Sequence, residues 1–286
     1  MNNNSLRNQF IRDMQLKNYA EMTQQAYLVH VLRYVKHFRK SPLELGKEQI
    51  KQYLHTLVVQ KRSQSYISQA YSALKFLYEV TMQREWDSYK IPRGRREKRL
   101  PHAFSQKEII EFFNNIGNPK HRAIFELMYC GGLRVSEVVN LKIKDINSTD
   151  MSILIREGKG NKDRYTTLSN TALETIRNYF KLYRPTEYLF PGTVGNKPIT
   201  SRTVQQAFTK ILQRTRIQKD VTVHSIRHSF STHMLENGVD VYHLQKLLGH
   251  SNIKTTSIYL HISNHKALKI QSPHDRLLTG TDNERR

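Results

Sequence analysis

The chain has 286 residues, with 46 Lys and Arg against 24 Asp and Glu, for a formal net charge of +22. That length holds one large domain or two ordinary ones, and a folded chain this basic repels itself unless a polyanion neutralises it, which points to nucleic acid. A single cysteine, Cys130, excludes internal disulfides and a multi-cysteine zinc site, and no stretch reaches the length of a membrane span.

The opening MNNNSLRNQF carries no apolar signal region, so the expected compartment is cytoplasmic. Residues 5 to 88 then read as helix. Tyr27, Val31, Tyr34, Val35 and Phe38 recur at i, i+4, i+7, i+8 and i+11, on one helical face. Ser41-Pro42 ends that helix. Ile50, Tyr53, Leu54 and Leu57 form a second apolar set. Ile67, Tyr71, Leu74, Phe76, Leu77 and Tyr78 form a third. Between these sets lies the polar turn Lys61-Arg62-Ser63-Gln64-Ser65, whose serines can cap the next helix. Four or five short helices make a small bundle.

Residues 91–101 have the composition of a linker, with prolines at both sides, one glycine, and the cations Arg93, Arg95, Arg96, Lys98 and Arg99. Such a segment is a solvated connector, a basic strap across DNA, or both. A second domain starts at Ser105-Gln106-Lys107-Glu108, which fits a capping box ahead of Ile109, Ile110, Phe112 and Phe113. A helix through Ile124, Phe125, Leu127 and Met128 stops at Gly131-Gly132, and Cys130 at its end reads as a core thiol. Another helix starts near Val135. Residues 151–156 and 164–168 are β-prone and flank a turn-rich segment, which predicts a hairpin with a lysine-bearing tip. Helical patterns return over 171–183 and 203–215 and then dominate to about His261. The predicted class is mainly α with a small antiparallel β-hairpin or sheet.

Cutting a phosphodiester needs a nucleophile, cations for the developing charge and an acid for the leaving oxygen. Carboxylates here are few and scattered, whereas Arg, Lys and His abound, which suits a design without a metal. Arg134 and Arg227 can each fork onto phosphate oxygens. The plainer reading of Arg134 is a surface salt bridge with Glu137. Lys159 stands between two glycines, and its plainer reading is a solvated turn lysine. His224 and Arg227 lie three apart on one helical face. His224 and His228 have the spacing of a metal pair, but Ser225 replaces the glutamate of H-E-x-x-H and no clear third ligand follows. His228 and His233 read as structural groups or phosphate contacts. Of 15 tyrosines, Tyr259 is singled out by its distance from His250, while Tyr242 fits a helix face with Leu244 and Leu247.

Four segments together resemble the tyrosine recombinases, the phage integrase family. Gly132-Leu133-Arg134-Val135-Ser136-Glu137 is similar to their first arginine box, and Gly158-Lys159-Gly160-Asn161-Lys162-Asp163-Arg164 to their lysine loop. His224-Ser225-Ile226-Arg227-His228 matches H-x-x-R. Leu248-Gly249-His250, followed by residues up to Tyr259, resembles the box that leads to the nucleophile. The resemblance covers nearly the whole chain. It implies a helical, SAM-like core-binding domain over residues 1–88, a basic linker over 89–104 and an α+β catalytic domain over 105–262. A tail over 263–286 would contact a neighbouring protomer. The plan is nearest to compact Xer-type recombinases or mobile-element integrases, and no separate arm-binding domain is expected before residue 5.

The resemblance also implies roles. Tyr259 would attack the phosphate and form a 3′-phosphotyrosyl bond. Lys159 would protonate the 5′ oxygen, and Arg134 and Arg227 would hold phosphate oxygens. His224 would assist the proton at Tyr259 or hydrogen-bond the phosphate, and His250 would donate to a non-bridging oxygen. Lys162 and Arg164 would touch backbone phosphate, as would the linker cations. No cofactor is implied. The expected partner is a double-stranded recombination site, clamped by two domains and bound by a tetramer on two sites, alone or with a related recombinase, with no membrane. Ile226, Ser231 and Leu260 depart from the common pattern, and none is expected to touch the chemistry. A DNA-binding accessory protein of the same fold without catalysis is the alternative, and all six catalytic positions being filled counts against it. A metal nuclease is a third reading, disfavoured by the scattered carboxylates.

Overall fold

A computed structural model describes residues 3–87, 102–156, 163–193 and 197–261. Two compact units divide the chain, Met1–Lys98 and Arg99–Arg286.

The first unit is all helix: α1 (Asn3–Leu16), α2 (Glu21–Phe38), α3 (Lys47–Val59) and α4 (Gln64–Lys75), which runs into a π-helical turn at Phe76–Thr81. The apolar sets seen in the sequence form one core, with Tyr34, Ile50, Leu57, Leu74 and Leu77 buried and Tyr27, Val35 and Ile67 packed against it. Local chemistry sets the ends. Arg39 closes α2 in the left-handed region, and the Ser41 hydroxyl accepts from Leu43 N at the following 3-10 turn. Ser63 accepts from Tyr66 N and starts α4. The π turn had no counterpart in the sequence reading.

The second unit holds α5 (Gln106–Asn114), α6 (Pro119–Cys130), α7 (Val135–Val139), strands β1 (Ile146–Asn147), β2 (Ser152–Ile155) and β3 (Arg164–Thr167), then α8 (Asn170–Tyr183), α9 (Ser201–Leu212), α10 (Val223–Glu236), α11 (Val241–Leu248) and α12 (Ile253–Ser257), with a last 3-10 turn at Ile258–His261. The expected capping box forms: Glu108 N donates to Ser105 Oγ, and Ser105 N donates to Glu108 Oε2 at 2.7 Å. Cys130 packs on the core, and burial pushes its thiol up to about 11. No described helix is long and apolar enough to cross a membrane.

The sheet is antiparallel in the order β1-β2-β3, so the hairpin gains a short third strand that the sequence reading lacked. Ile153 pairs with Thr166 and Ile155 with Arg164. Paired residues share a face, and side chains alternate along a strand. Ile153 and Ile155 face the core, so Thr166 and Arg164 point inward with them, while Tyr165 is 65% exposed. This parity corrects the expectation that Arg164 touches DNA. Its side chain is 9% exposed, its Nη atoms donate to Glu137 at 2.8 and 3.0 Å, and its Nε donates to the Leu247 carbonyl at 2.9 Å. A guanidinium committed in this way is an internal brace.

Candidate active site

Arg134 stands at the N-cap of α7, where its backbone N–H donates to Glu137 Oε2 at 2.8 Å. The turn that leads there needs Gly132. Its φ is +59°, and a Cβ would meet the Phe230 ring at 2.4 Å. Arg134 Nη1 reaches Glu137 Oε1 at 2.6 Å, so the plain salt-bridge partner is present, but it is not a surface pair. Buried Glu137 also accepts Arg164 and lies 3.7 Å from Arg227 Nη1. Three guanidinium groups therefore gather on one carboxylate. Burial alone would raise its pKa, but the hydrogen bonds and charge of Arg164, then Arg134 and Arg227, hold it down at about 2. Two positive charges of the three stay uncompensated, a fitting reserve for a phosphate.

Helix α10 supplies a polar stripe at His224, Arg227, His228 and Ser231, the i, i+3, i+4 and i+7 positions of one face. Arg227 is 1% exposed. Its guanidinium donates to the carbonyls of Gly132 and Leu248, the latter at 2.7 Å, and meets His250 Nε2 at 3.1 Å. Burial, then Arg134, lowers its pKa to about 9, so it stays cationic at neutral pH.

His250 follows Gly249, which ends α11 at φ +63°. A Cβ there would lie 2.7 Å from Arg164 Cδ, so the glycine makes room for the brace. His250 Nδ1 meets the Thr256 hydroxyl at 2.9 Å. A hydroxyl can donate or accept, so Thr256 holds the ring in either tautomer. Nε2 then accepts from Arg227 or, carrying the proton, donates to an oxygen placed between them.

Tyr259 lies on the terminal 3-10 turn, 3% exposed, in a small core with Phe230, Leu235, Leu244 and Leu248. Its hydroxyl meets His228 Nδ1 at 3.0 Å, and the side chains of Arg227 and Ser231 also hydrogen-bond it. Burial raises the phenol pKa, and Arg227 opposes that. Ser231 thus does touch the nucleophile candidate, contrary to expectation: it sits one turn beyond Arg227 on the stripe that the turn covers.

The structure therefore brings together Arg134, His224, Arg227, His250 and Tyr259. His224 is exposed at the mouth, with its ring centroid 4.6 Å from that of His228. Protein atoms around it, then Arg227 and Arg134, lower its pKa. His228, not His224, is the imidazole at the Tyr259 hydroxyl. His233 is structural: its Nδ1 meets Tyr129 OH at 2.8 Å. Among the described residues no three His, Cys, Asp or Glu gather to hold a metal. Lys159, Lys162, the linker cations Arg93, Arg95, Arg96, Lys98 and Arg99, and the tail over 263–286 lie outside the described residues. Sequence reasoning missed Glu137 as a hub and His228 as a neighbour of Tyr259. The available signals were that His228 shares a helical face with His224 and that Glu137 stands three residues after Arg134, at the N3 position of a cap.

Residues 102–266 match the phage integrase family, and residues 6–88 match the phage integrase N-terminal SAM-like domain. The putative integrase/recombinase y4qK of Sinorhizobium fredii is 40% identical over 274 residues, covering 95% of this chain and 89% of the relative. Tyrosine recombinase XerC of Staphylococcus carnosus is 35% identical over 235 residues, covering 76% of this chain and 78% of the relative. Among solved structures, a lambda integrase dimer bound to a COC′ core site shares the fold, with a TM-score of 0.74 at 15% identity over 94% of this chain and 98% of that one.

Proposed function

The chain belongs to the phage integrase family and is a tyrosine site-specific recombinase, and on that premise we propose how its residues divide the work. Tyr259 attacks the scissile phosphate of a double-stranded recombination site. A 3′-phosphotyrosyl bond forms and O5′ leaves, protonated by Lys159. Arg134 and Arg227 hold the non-bridging oxygens, His250 donates to one of them, and His224 hydrogen-bonds the phosphate at the mouth. The bond energy stays in the phosphotyrosine, so rejoining needs neither ATP nor a cofactor. A 5′-hydroxyl from the partner strand attacks phosphorus and releases Tyr259, which exchanges strands through a Holliday junction.

Arg93, Arg95, Arg96, Lys98, Arg99 and Lys162 neutralise backbone phosphates, and Arg164 does not. Residues 1–88 act as the core-binding domain, 89–104 as the linker, 105–262 as the catalytic domain and 263–286 as the contact to a neighbouring protomer. The working assembly is a tetramer on two sites, alone or with a related recombinase, in the cytoplasm.

One observation carries the reading: a buried tyrosine hydroxyl shares a polar cluster with Arg227 and two histidines, beside a carboxylate that organises three arginines. An accessory protein without catalysis has no use for that cluster. The test is a duplex nicked near the cleavage site, incubated with the protein in EDTA. A covalent protein–DNA adduct forms, and Tyr259→Phe abolishes it. If EDTA stops cleavage, or Tyr259→Phe still forms the adduct, the reading fails.

A further inference from the structure

We propose that His228 takes the proton from the Tyr259 hydroxyl as that oxygen attacks phosphorus, and returns it when the strand is rejoined. The proposal rests on Tyr259 being the nucleophile.

The geometry selects His228 by elimination. Its Nδ1 lies 3.0 Å from the hydroxyl, within direct transfer distance, with the two rings tilted at a centroid separation of 5.5 Å. The other groups at that hydroxyl are Arg227, which has no acceptor, and Ser231, which is no base. Glu137 is a carboxylate, but three arginines occupy it, which leaves it a very weak base. His224 is one turn earlier on α10, at the mouth, and meets the ring of His228.

The step balances. The Tyr259 O–H bond breaks and N–H forms at Nδ1, which needs the His228 tautomer with its resting proton on Nε2. The tyrosine oxygen bonds phosphorus, and the P–O5′ bond breaks. O5′ takes a proton from the general acid assigned to Lys159. On rejoining, the 5′-hydroxyl attacks phosphorus and gives its proton to the group assigned to Lys159, the phosphotyrosyl bond breaks, and His228 hands its proton back to the tyrosine oxygen.

The surroundings time that transfer. Burial, then His224 and Arg227, push His228 down to about 4, and burial pushes Tyr259 up. The proton therefore stays on the phenol until the phosphate is engaged. The groups that act on the ring are His224 and Arg227 from α10 and Tyr259 from the 3-10 turn. Of the other elements packed on α10, α6 presents Tyr129 to His233, α11 presents the Leu248 carbonyl to Arg227, and α9 carries the cations Arg202 and Lys210, neither of which is among the groups that shift His228. A bound phosphate offsets the charge of Arg227, and the phenol becomes acidic as its oxygen bonds phosphorus. The proton moves with the attack and not before it.

The experiment is single-turnover cleavage of the nicked duplex from about pH 3.5 to 9.5, a range that spans both the lowered His228 value of about 4 and the ordinary imidazole range. It compares wild type, His228→Asn, His224→Gln and Tyr259→Phe. Asparagine puts an amide oxygen near the Nδ1 position, so it keeps an acceptor and loses the base. His228→Asn is expected to slow cleavage by about 10²–10⁴-fold while duplex binding holds. Its rate should rise about tenfold per pH unit as solvent takes the proton, where wild type levels off. His228→Gln serves as the second variant if the asparagine protein does not bind duplex. A slowed variant with a profile parallel to wild type marks a merely structural role and overturns the proposal. So does a rate within about threefold of wild type, or loss of the wild-type acid limb in His224→Gln while His228→Asn keeps it. An adduct from Tyr259→Phe sinks the nucleophile assignment itself, whereas a wild-type-like His228→Asn beside an inactive Tyr259→Phe sinks only this proposal.

Discussion

The interiors of the two units are built from different materials. Among the described residues of Met1–Lys98 the buried polar residues are His30 and Thr81, and tyrosine and tryptophan rims add hydroxyl and indole groups. Tyr34 meets the Tyr78 hydroxyl at 3.1 Å, and Trp86 donates to Tyr71 at 3.0 Å. In Arg99–Arg286 the interior includes Glu126, Glu137, Asp145, Arg227 and His233. Burying charge is expensive even when it is paired, and apolar replacements are often as stable or more so. A fold that only had to be stable would not choose the second interior. Glu126 and Asp145 each pair with one arginine, Arg122 and Arg156, whereas Glu137 gathers Arg134, Arg164 and Arg227, and that group is what separates the site from the scaffold.

Glu137→Gln strikes that contrast hardest. It removes one charge and leaves three guanidinium groups facing a neutral amide. Breaking a buried pair in this way costs about 3–5 kcal/mol. The single tryptophan, Trp86, lies in the N-terminal unit, so its fluorescence reports there while far-UV dichroism follows all the helices. The expected result is a lowered thermal transition by dichroism with an unmoved Trp86 midpoint, and adduct formation reduced at least 100-fold, on the scale of losing an oxyanion donor. An equal shift of the Trp86 transition would break the comparison. The pH dependence sharpens it. The folded pKa of Glu137, about 2, lies below the ordinary 4.5, so its stabilisation is full above the unfolded value and fades as pH falls toward 2. The gap between wild type and Glu137→Gln should shrink by about 3 kcal/mol across that window.

Gly249→Ala probes the same brace with a smaller push. The left-handed backbone costs a side chain roughly 1–2 kcal/mol, and the added Cβ would press on Arg164. Arg164 would shift away from Glu137, and Leu248, whose carbonyl holds Arg227, would move with the turn. A loss of about 2 kcal/mol in the dichroism transition is expected, with cleavage down on the order of tenfold. A stable variant with normal cleavage would show that Arg164 is not what keeps the arginines in place.

Much of this was legible in the sequence, because helices advertise themselves by period. The buried faces of α2, α3 and α4 follow the spacing of Tyr34, Ile50 and Leu74, and Ser63 and Ser105 cap as their positions imply. The boxes around Arg134, Arg227, His250 and Tyr259 also stood out, and the fold brings them together. What failed was direction. A strand residue faces in or out by parity, and the pairing of Arg164 with Ile155 sets that parity, so its charge suggested phosphate where the register gives a brace. His224 and His228 share a face, and only the path of the terminal 3-10 turn decides which one meets Tyr259. Glu137 looked like a single partner for Arg134. Its other two arginines arrive from β3 and α10, far along the chain, where no local spacing announces them.

The smallest expected effect lies in the other interior. Tyr34→Phe deletes a fully buried hydroxyl and leaves the ring in place. Burial, with Tyr78 beside it, raises the Tyr34 pKa far enough that the group is neutral at any working pH, so no charge is lost. The Tyr78 hydroxyl keeps acceptors in the carbonyls of Pro42 at 3.1 Å and Leu45 at 3.3 Å, so no polar atom is stranded. A hydrogen bond lost without stranding its partner costs about 0.5–1.5 kcal/mol. The Trp86 transition should fall by that amount in urea, and the single-turnover cleavage rate should match wild type. A loss above about 3 kcal/mol would mean that the tyrosine network carries the N-terminal unit as the arginines carry the other. A slowed cleavage rate would mean that the scaffold's interior reaches the chemistry.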